Sequence, residues 1–176
     1  CIRDSNKTDG VDAVVLAEFG TALQPPPWQP LPKEREALQS LVRRLAAVKQ
    51  ALTAAHNGLH AAQAAGQTGQ TKASLRRELT FLRREQQRLE RAIKELLTAH
   101  PALQKEVRLL QSIPGVGWTT AVGLLGEVGD FARYRSPKAL AAQAGVVPRE
   151  KSSGASVRGK STIGGQGSRP LRRLLY

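Results

Sequence analysis

Between Arg149 and Arg173 the chain sets seven cations, Arg149, Lys151, Arg158, Lys160, Arg169, Arg172 and Arg173, against one acid, Glu150. Ser152, Ser153, Gly154 and Ser156 stand among them. Small hydroxylated residues and glycines between cations describe a flexible loop able to fold around a phosphodiester. A serine hydroxyl in such surroundings can attack phosphorus, because Arg and Lys stabilise both the alkoxide-like nucleophile and the charge developing on the phosphate oxygens. The same composition also describes a plain binding or unstructured segment.

Two further constellations bear on phosphate chemistry. Asp9 and Asp12 stand three apart, so on a helix their carboxylates share a face. Such a pair can hold Mg²⁺, which takes one or two protein carboxylates and completes its shell with water and phosphate oxygens. It can equally be ordinary first-turn capping. In Ile113-Pro114-Gly115-Val116-Gly117-Trp118 a helix ends, turns and restarts. Gly115 and Gly117 permit backbone conformations closed to other residues, and amides at the start of the next helix suit a nucleic-acid phosphate. This pattern resembles a helix-hairpin-helix clamp; a ligand-free connection between packed helices would look the same.

The elements that must position these residues are mostly helical. Residues 7–20 read as a short helix with Thr8 as N-cap and Gly20 as its stop. Residues 24–32, with five prolines around Trp28, form an extended spacer. From Lys33 to about Ala55, Leu38, Leu41, Val42, Leu45, Val48 and Leu52 recur at helical spacing. After a loop at residues 66–69, Leu75, Leu79, Leu82, Gln86, Leu89, Ile93 and Leu96 form a heptad seam with one polar position. The pair predicts an antiparallel helical hairpin whose outer face is basic through Arg76, Arg77, Arg83, Arg84, Arg88 and Arg91. That face suits a solvated coiled-coil arm used for dimerisation, or direct nucleic-acid contact. His100-Pro101 ends the second helix, and any β structure is expected after Pro148.

The 176 residues carry 27 Lys and Arg against 14 Asp and Glu, a net charge of +13, so polyanions are the first partners to consider. No apolar run reaches the roughly 18 residues a membrane span needs. The single cysteine, Cys1, can close no internal disulfide, and no Cys/His cluster has zinc spacing, which fits a reducing cytoplasm. With no Met, a start at Cys1 and an apolar stop at Leu174-Leu175-Tyr176, the chain reads as truncated at both ends.

Taken in order, these segments resemble the DEDD transposases of the insertion-sequence 110/116/902 family over nearly the whole chain. Residues 7–13 resemble the last acidic block of that family's RuvC-like domain. Residues 113–117, 129–134 and 144–149 resemble the opening of its C-terminal transposase domain, and Ser152-Ser153-Gly154 with Ser156-Val157-Arg158-Gly159 resembles its serine block. The resemblance implies an RNase H-like domain holding Mg²⁺ on four acids, a coiled-coil arm that drives homo-oligomer assembly, and a serine that links covalently to DNA. It also implies target and donor choice through a structured guide RNA. Asp9 and Asp12 match the last two acids, and Ser153 the nucleophile, with Ser152 as fallback. The first Asp and the Glu of the quartet would precede Cys1. Gly164-Gly165-Gln166-Gly167 departs from a block that usually has a Lys shortly before a Gly.

The expected fold is therefore mainly α: a remnant of an RNase H-like domain over residues 1–23, a linker over 24–32, a coiled-coil hairpin over 33–100, and an incomplete C-terminal domain containing the helix-hairpin-helix over 101–176. The expected function is DNA transposition. Asp9 and Asp12 serve as partial Mg²⁺ ligands, Ser153 as nucleophile, and Gly115, Gly117, Arg149, Lys151, Arg158, Lys160, Arg172 and Arg173 grip DNA. The chain alone is expected to be catalytically inert. Two other readings compete: a non-catalytic nucleic-acid-binding adaptor, which makes no covalent link to DNA, and a structural coiled-coil dimeriser, which shows no salt-dependent binding.

Overall fold

The computed structural model describes residues 9–25, 27, 29–153, 157–163 and 166–175, with the backbone alone for 149–153 and 157–162. Cys1, Lys7, Thr8, Pro26, Trp28, Gly154, Ala155, Ser156, Gly164, Gly165 and Tyr176 lie outside the described residues. The chain divides into two compact units, Cys1–Pro30 and Leu31–Tyr176.

The first unit contains α1 (Asp9–Leu23), none of whose residues is buried. The helix does not stop at Gly20. A single glycine costs about 1 kcal/mol inside a helix, and the chain continues until Pro25, whose ring disfavours the helical region at Gln24. Gln24 leaves the helix at φ +40.

In the second unit, α2 (Lys33–Ala64) and α3 (Gly69–Ala99) form an antiparallel hairpin. The start of α2 meets the end of α3, and the middle of α2 (Val48, Ala55) meets the first half of α3 (Leu79, Leu82). Helix α2 overruns its expected end near Ala55. Asn57-Gly58 resembles a stop, but Ala55 and Ala62 are buried, and a Cβ on Gly58 would sit 3.6 Å from Leu75 Cδ2, so α3 comes close enough to hold the helix through this point. Thr68 caps α3 by accepting from the Thr71 amide.

Along α3 the seam holds at Leu79, Leu82 and Ile93, and Gln86 donates to Glu90 at 2.9 Å. At its end Leu97, not Leu96, is fully buried. A straight helix of 3.6 residues per turn drifts off a seven-residue repeat, and here the core is no longer α2 alone. After His100, α4 (Pro101–Gln111) and α5 (Trp118–Val128) complete it. Leu38, Val42, Leu45, Ile93, Leu97, Leu103, Val107, Ala121, Val122 and Leu125 form one cluster from four helices.

Helix α5 is held on both sides at glycine distance. A Cβ on Gly126 would come 3.1 Å from Val42 of α2, and one on Gly123 would come 2.8 Å from Leu174. A row of α2 side chains then fastens its C-terminal end. Arg35 donates to the Gly129 carbonyl, Gln39 to the Gly126 carbonyl at 3.1 Å, and Arg43 to both oxygens of Glu127. Cationic and amide donors at the last carbonyls oppose the negative end of the helix dipole.

A 3₁₀ turn (Phe131–Arg133) and α6 (Pro137–Ala144, capped by Ser136) lead to an antiparallel pair, β1 (Pro148–Ser153) and β2 (Val157–Ile163). Helix α7 (Arg169–Leu175) packs back on α5 and α6 through Leu171, which joins Val128 and Ala144 in a second core. Among the described residues no helix is long and apolar enough to cross a membrane.

Candidate nucleic-acid interface

Between α4 and α5 the chain makes a tight turn, with the Val116 amide donating to the Ile113 carbonyl at 3.0 Å. Pro114 presets φ at its first central position and Gly115, at φ +86, fills the second, as a type II turn requires. Space around the missing Cβ atoms of Gly115 and Gly117 is open, so what fixes glycine at 115 is the dihedral. Gly117 N-caps α5 without any side-chain acceptor, and the first backbone bond of the helix runs from Ala121 to Gly117 at 2.9 Å. Behind the turn Trp118 packs on the main core, and Lys94 Nζ lies 5.6 Å from its ring centre. The result is an exposed glycine turn with early-turn amides free of side-chain caps, on a rigid base.

The β structure expected after Pro148 is present: Pro148–Ser153 and Val157–Ile163, on either side of residues 154–156, pair as an antiparallel ladder. Arg149 pairs with Thr162, Lys151 with Gly159, Ser152 with Arg158 and Ser153 with Val157, with a bulge between Arg149 and Lys151. β-branched Val157, Thr162 and Ile163 favour a pleated backbone over open coil. Pairing brings Arg158 of β2 opposite the consecutive Lys151-Ser152-Ser153 of β1 at one end of the two-stranded ladder, and Lys160 follows on β2.

At the foot of that ladder the chain closes on itself. Gly145 ends α6 at φ +70, and a Cβ there would meet the Gln166 carbonyl oxygen at 1.9 Å. Arg172 donates from Nε to the Ala144 carbonyl and from Nη2 to the Gln166 carbonyl, each at 3.2 Å. Two of its donors thus hold the base of the hairpin. Arg173, exposed, borders instead a groove of about 740 Å³ between α2, α5 and α7, together with Arg43, Lys49 and Arg169. The helical pattern of α2 does not encode which of its sides meets α7, so the sequence alone does not mark Arg43 and Lys49 as rim cations.

Glu127 holds Arg43 above the usual guanidinium range, mainly through their hydrogen bond. Burial pushes the Tyr134 hydroxyl above its ordinary range, opposed by a hydrogen bond with Gln143 and by the charge of Arg133. Asp9 and Asp12 are exposed in the first turn of α1, in the other unit. Among the described residues no three His, Cys, Asp or Glu side chains gather as a metal cluster.

Residues 107–176, from α4 to the last helix, match the family described as transposase IS116/IS110/IS902. Over 170 residues the chain is 32% identical to the pilin gene-inverting protein of Moraxella bovis, covering 97% of this chain and 51% of that protein. It is 40% identical over 103 residues to the insertion element IS110 uncharacterized 43.6 kDa protein of Streptomyces coelicolor, covering 58% of this chain and 24% of that protein. It is 40% identical over 86 residues to the transposase for insertion sequence element IS1328 of Yersinia enterocolitica, covering 47% of this chain and 25% of that protein. The chain spans about half the length of the Moraxella relative.

Proposed function

Through residues 107–176 this chain belongs to the transposase IS116/IS110/IS902 family, and from that premise we propose that the protein of which it is part cuts and rejoins DNA through a covalent serine intermediate. The observation that carries the proposal is the β1–β2 ladder, which lies inside the family match and sets Ser152 opposite Arg158 with Ser153 beside it.

In the proposed reaction Ser153 Oγ attacks a DNA phosphorus. A serine–phosphate ester replaces the phosphodiester, the deoxyribose oxygen leaves and takes a proton, and the ester keeps the bond energy needed for rejoining. Arg149, Lys151, Arg158 and Lys160 supply positive charge to the phosphate oxygens. Gly115, Gly117 and the first amides of α5 clamp a neighbouring phosphate as a helix-hairpin-helix, and Arg173 extends the contact. Arg172 supports the site from behind.

Helix α1 is read as the end of an RNase H-like, RuvC-like domain. Asp9 and Asp12, exposed one turn apart, fit half of a Mg²⁺ site of the kind that completes its shell with water and phosphate. When bound there, Mg²⁺ would stabilise charge on phosphate oxygens. The helical hairpin is read as a coiled-coil arm for homo-oligomer assembly, target choice as guided by a structured RNA, and the 176-residue chain alone as inert.

The test is Ser153→Ala in the full-length protein, with denaturing gels for protein–DNA adducts and a binding assay alongside. Loss of adducts with binding kept supports the proposal. Adducts that persist, and that Ser152→Ala removes, move the nucleophile by one residue. A protein that binds DNA but forms no adduct even as wild type is the non-catalytic adaptor.

A further inference from the structure

On α3 the buried side chains Leu79, Leu82 and Ile93 mark the side that meets α2. Arg77, Phe81, Arg84 and Arg88 succeed one another at steps of four, three and four, which at about 100° per residue places them on the opposite side. All four are exposed, and Phe81 keeps 59% of its surface open. A coiled-coil arm needs no aromatic ring on its outer face. Arg88 pairs with Glu85 at 2.8 Å, whereas Arg77 and Arg84 take part in none of the ion pairs among the described residues. Arg91 continues the row one turn on, and its Nε donates to the Gln87 carbonyl. From Arg77 to Arg91 the stripe is about 21 Å long at a rise of about 1.5 Å per residue.

We propose that this stripe binds an unpaired stretch of nucleic acid, with a base stacked on Phe81 and the flanking phosphates on Arg77 and Arg84. Three considerations select that occupant. Arginines without acidic partners on a chain of net charge +13 attract a polyanion. A second copy of the same stripe would bring arginines against arginines. A duplex keeps its bases stacked internally and offers an exposed ring nothing, while a single strand presents free base faces to it. The proposal rests on the nucleic-acid function proposed for the whole protein and adds a second site to it, on the arm and away from the serine hairpin.

The experiment uses the 176-residue chain and a fluorescein-labelled oligo-dT of about a dozen nucleotides, followed by anisotropy, with a duplex of equal length in parallel. Phe81 lies on the face away from the core, so Phe81→Ala leaves the fold intact, and circular dichroism checks this. Phe81→Ala is expected to weaken single-strand binding about tenfold and leave duplex binding unchanged, with Phe81→Trp restoring the single strand. Arg77→Gln with Arg84→Gln should lower the slope of log K against log salt by about 1.4 for the single strand. Photocrosslinking with an iodouracil-substituted strand should yield a peptide containing Phe81. Equal single-strand affinity in Phe81→Ala, or crosslinks confined to other segments, overturns the proposal, as does a dimer in sedimentation velocity that Phe81→Ala dissociates. If the chain binds duplex but no single strand, the stripe proposal fails alone. If it binds neither, the wider reading falls with it.

Discussion

Gly145 and Gly167 meet at the foot of the serine hairpin: a Cβ on Gly167 would stand 2.6 Å from the Gly145 backbone nitrogen. The segments entering and leaving the ladder therefore touch backbone to backbone, and both glycines have positive φ. Any side chain here meets a carbonyl or an amide that cannot step aside. Gly145→Ala combines a left-handed dihedral, costing about 1–2 kcal/mol, with overpacking of about 1–3 kcal/mol. We expect a loss of about 2–5 kcal/mol in urea unfolding, and faster amide exchange in β1 and β2 than in α2 and α3. Unchanged stability would show that the hairpin does not depend on this closure.

Arg35 grips both carboxylate oxygens of Glu106 and also donates to the Gly129 carbonyl, so one guanidinium ties α2 to α4 and to the end of α5. The two members of the pair are therefore unequal. Glu106→Gln removes a partly exposed ion pair, and about 1 kcal/mol is expected, reduced by added salt. Arg35→Met also leaves the Gly129 carbonyl without its donor and should cost more, about 2–3 kcal/mol, with little salt dependence in the excess. Chemical denaturation of both variants at low and high salt separates the two contributions. Equal losses would mean that the Gly129 contact adds nothing.

Much of this arrangement is legible in the sequence where local chemistry decides it, and illegible where packing does. Leucines at steps of three and four announce α2 and α3, and Pro114-Gly115 announces the turn before α5, because those signals act within a few residues. Gly20 and Asn57-Gly58 look like helix ends. Whether a glycine ends a helix depends on the residues C-terminal to it and on the side chains packed against it: Pro25 in one case, Leu75 in the other. Arg172 and Arg173 are neighbours in one basic run, yet one holds carbonyls behind the hairpin and the other rims a groove. That difference comes from the direction of α7, which no spacing within the run encodes. Gly123 and Gly126 likewise look like weak points in α5 until α2 and α7 are set against them.

Tyr134 gives the fold a sensitivity to alkali. Its hydroxyl titrates above the ordinary tyrosine value because burial disfavours the phenolate. The folded state therefore holds this proton more tightly than the unfolded chain. The stability linked to this group is accordingly fully present below the unfolded value near 10 and is lost as pH rises through the higher folded value. Unfolding midpoints measured from pH 8 upward should fall more steeply in the wild type than in Tyr134→Phe, which has no proton to lose. Parallel curves would show that Tyr134 titrates alike folded and unfolded.

Gly126 and Val42 should behave as a coupled pair. A Cβ at 126 would sit 3.1 to 3.2 Å from three carbons of Val42, so α5 must lift away from α2 or Val42 must yield. Lifting α5 also loosens Gln39 from the Gly126 carbonyl and Arg43 from Glu127, so the strain spreads into polar contacts. Gly126→Ala alone gains helix propensity of about 1 kcal/mol but overpacks by about 1–3 kcal/mol, for a net loss. Val42→Ala alone opens a void in the main core and also destabilises, by roughly 1–3 kcal/mol. Together the new methyl fills part of the space the valine vacated, so the double variant should be more stable than the two losses added, by about 1 kcal/mol or more. A double-mutant cycle measured by denaturation checks this directly. Strict additivity would mean that α2 and α5 are not held at glycine distance in solution.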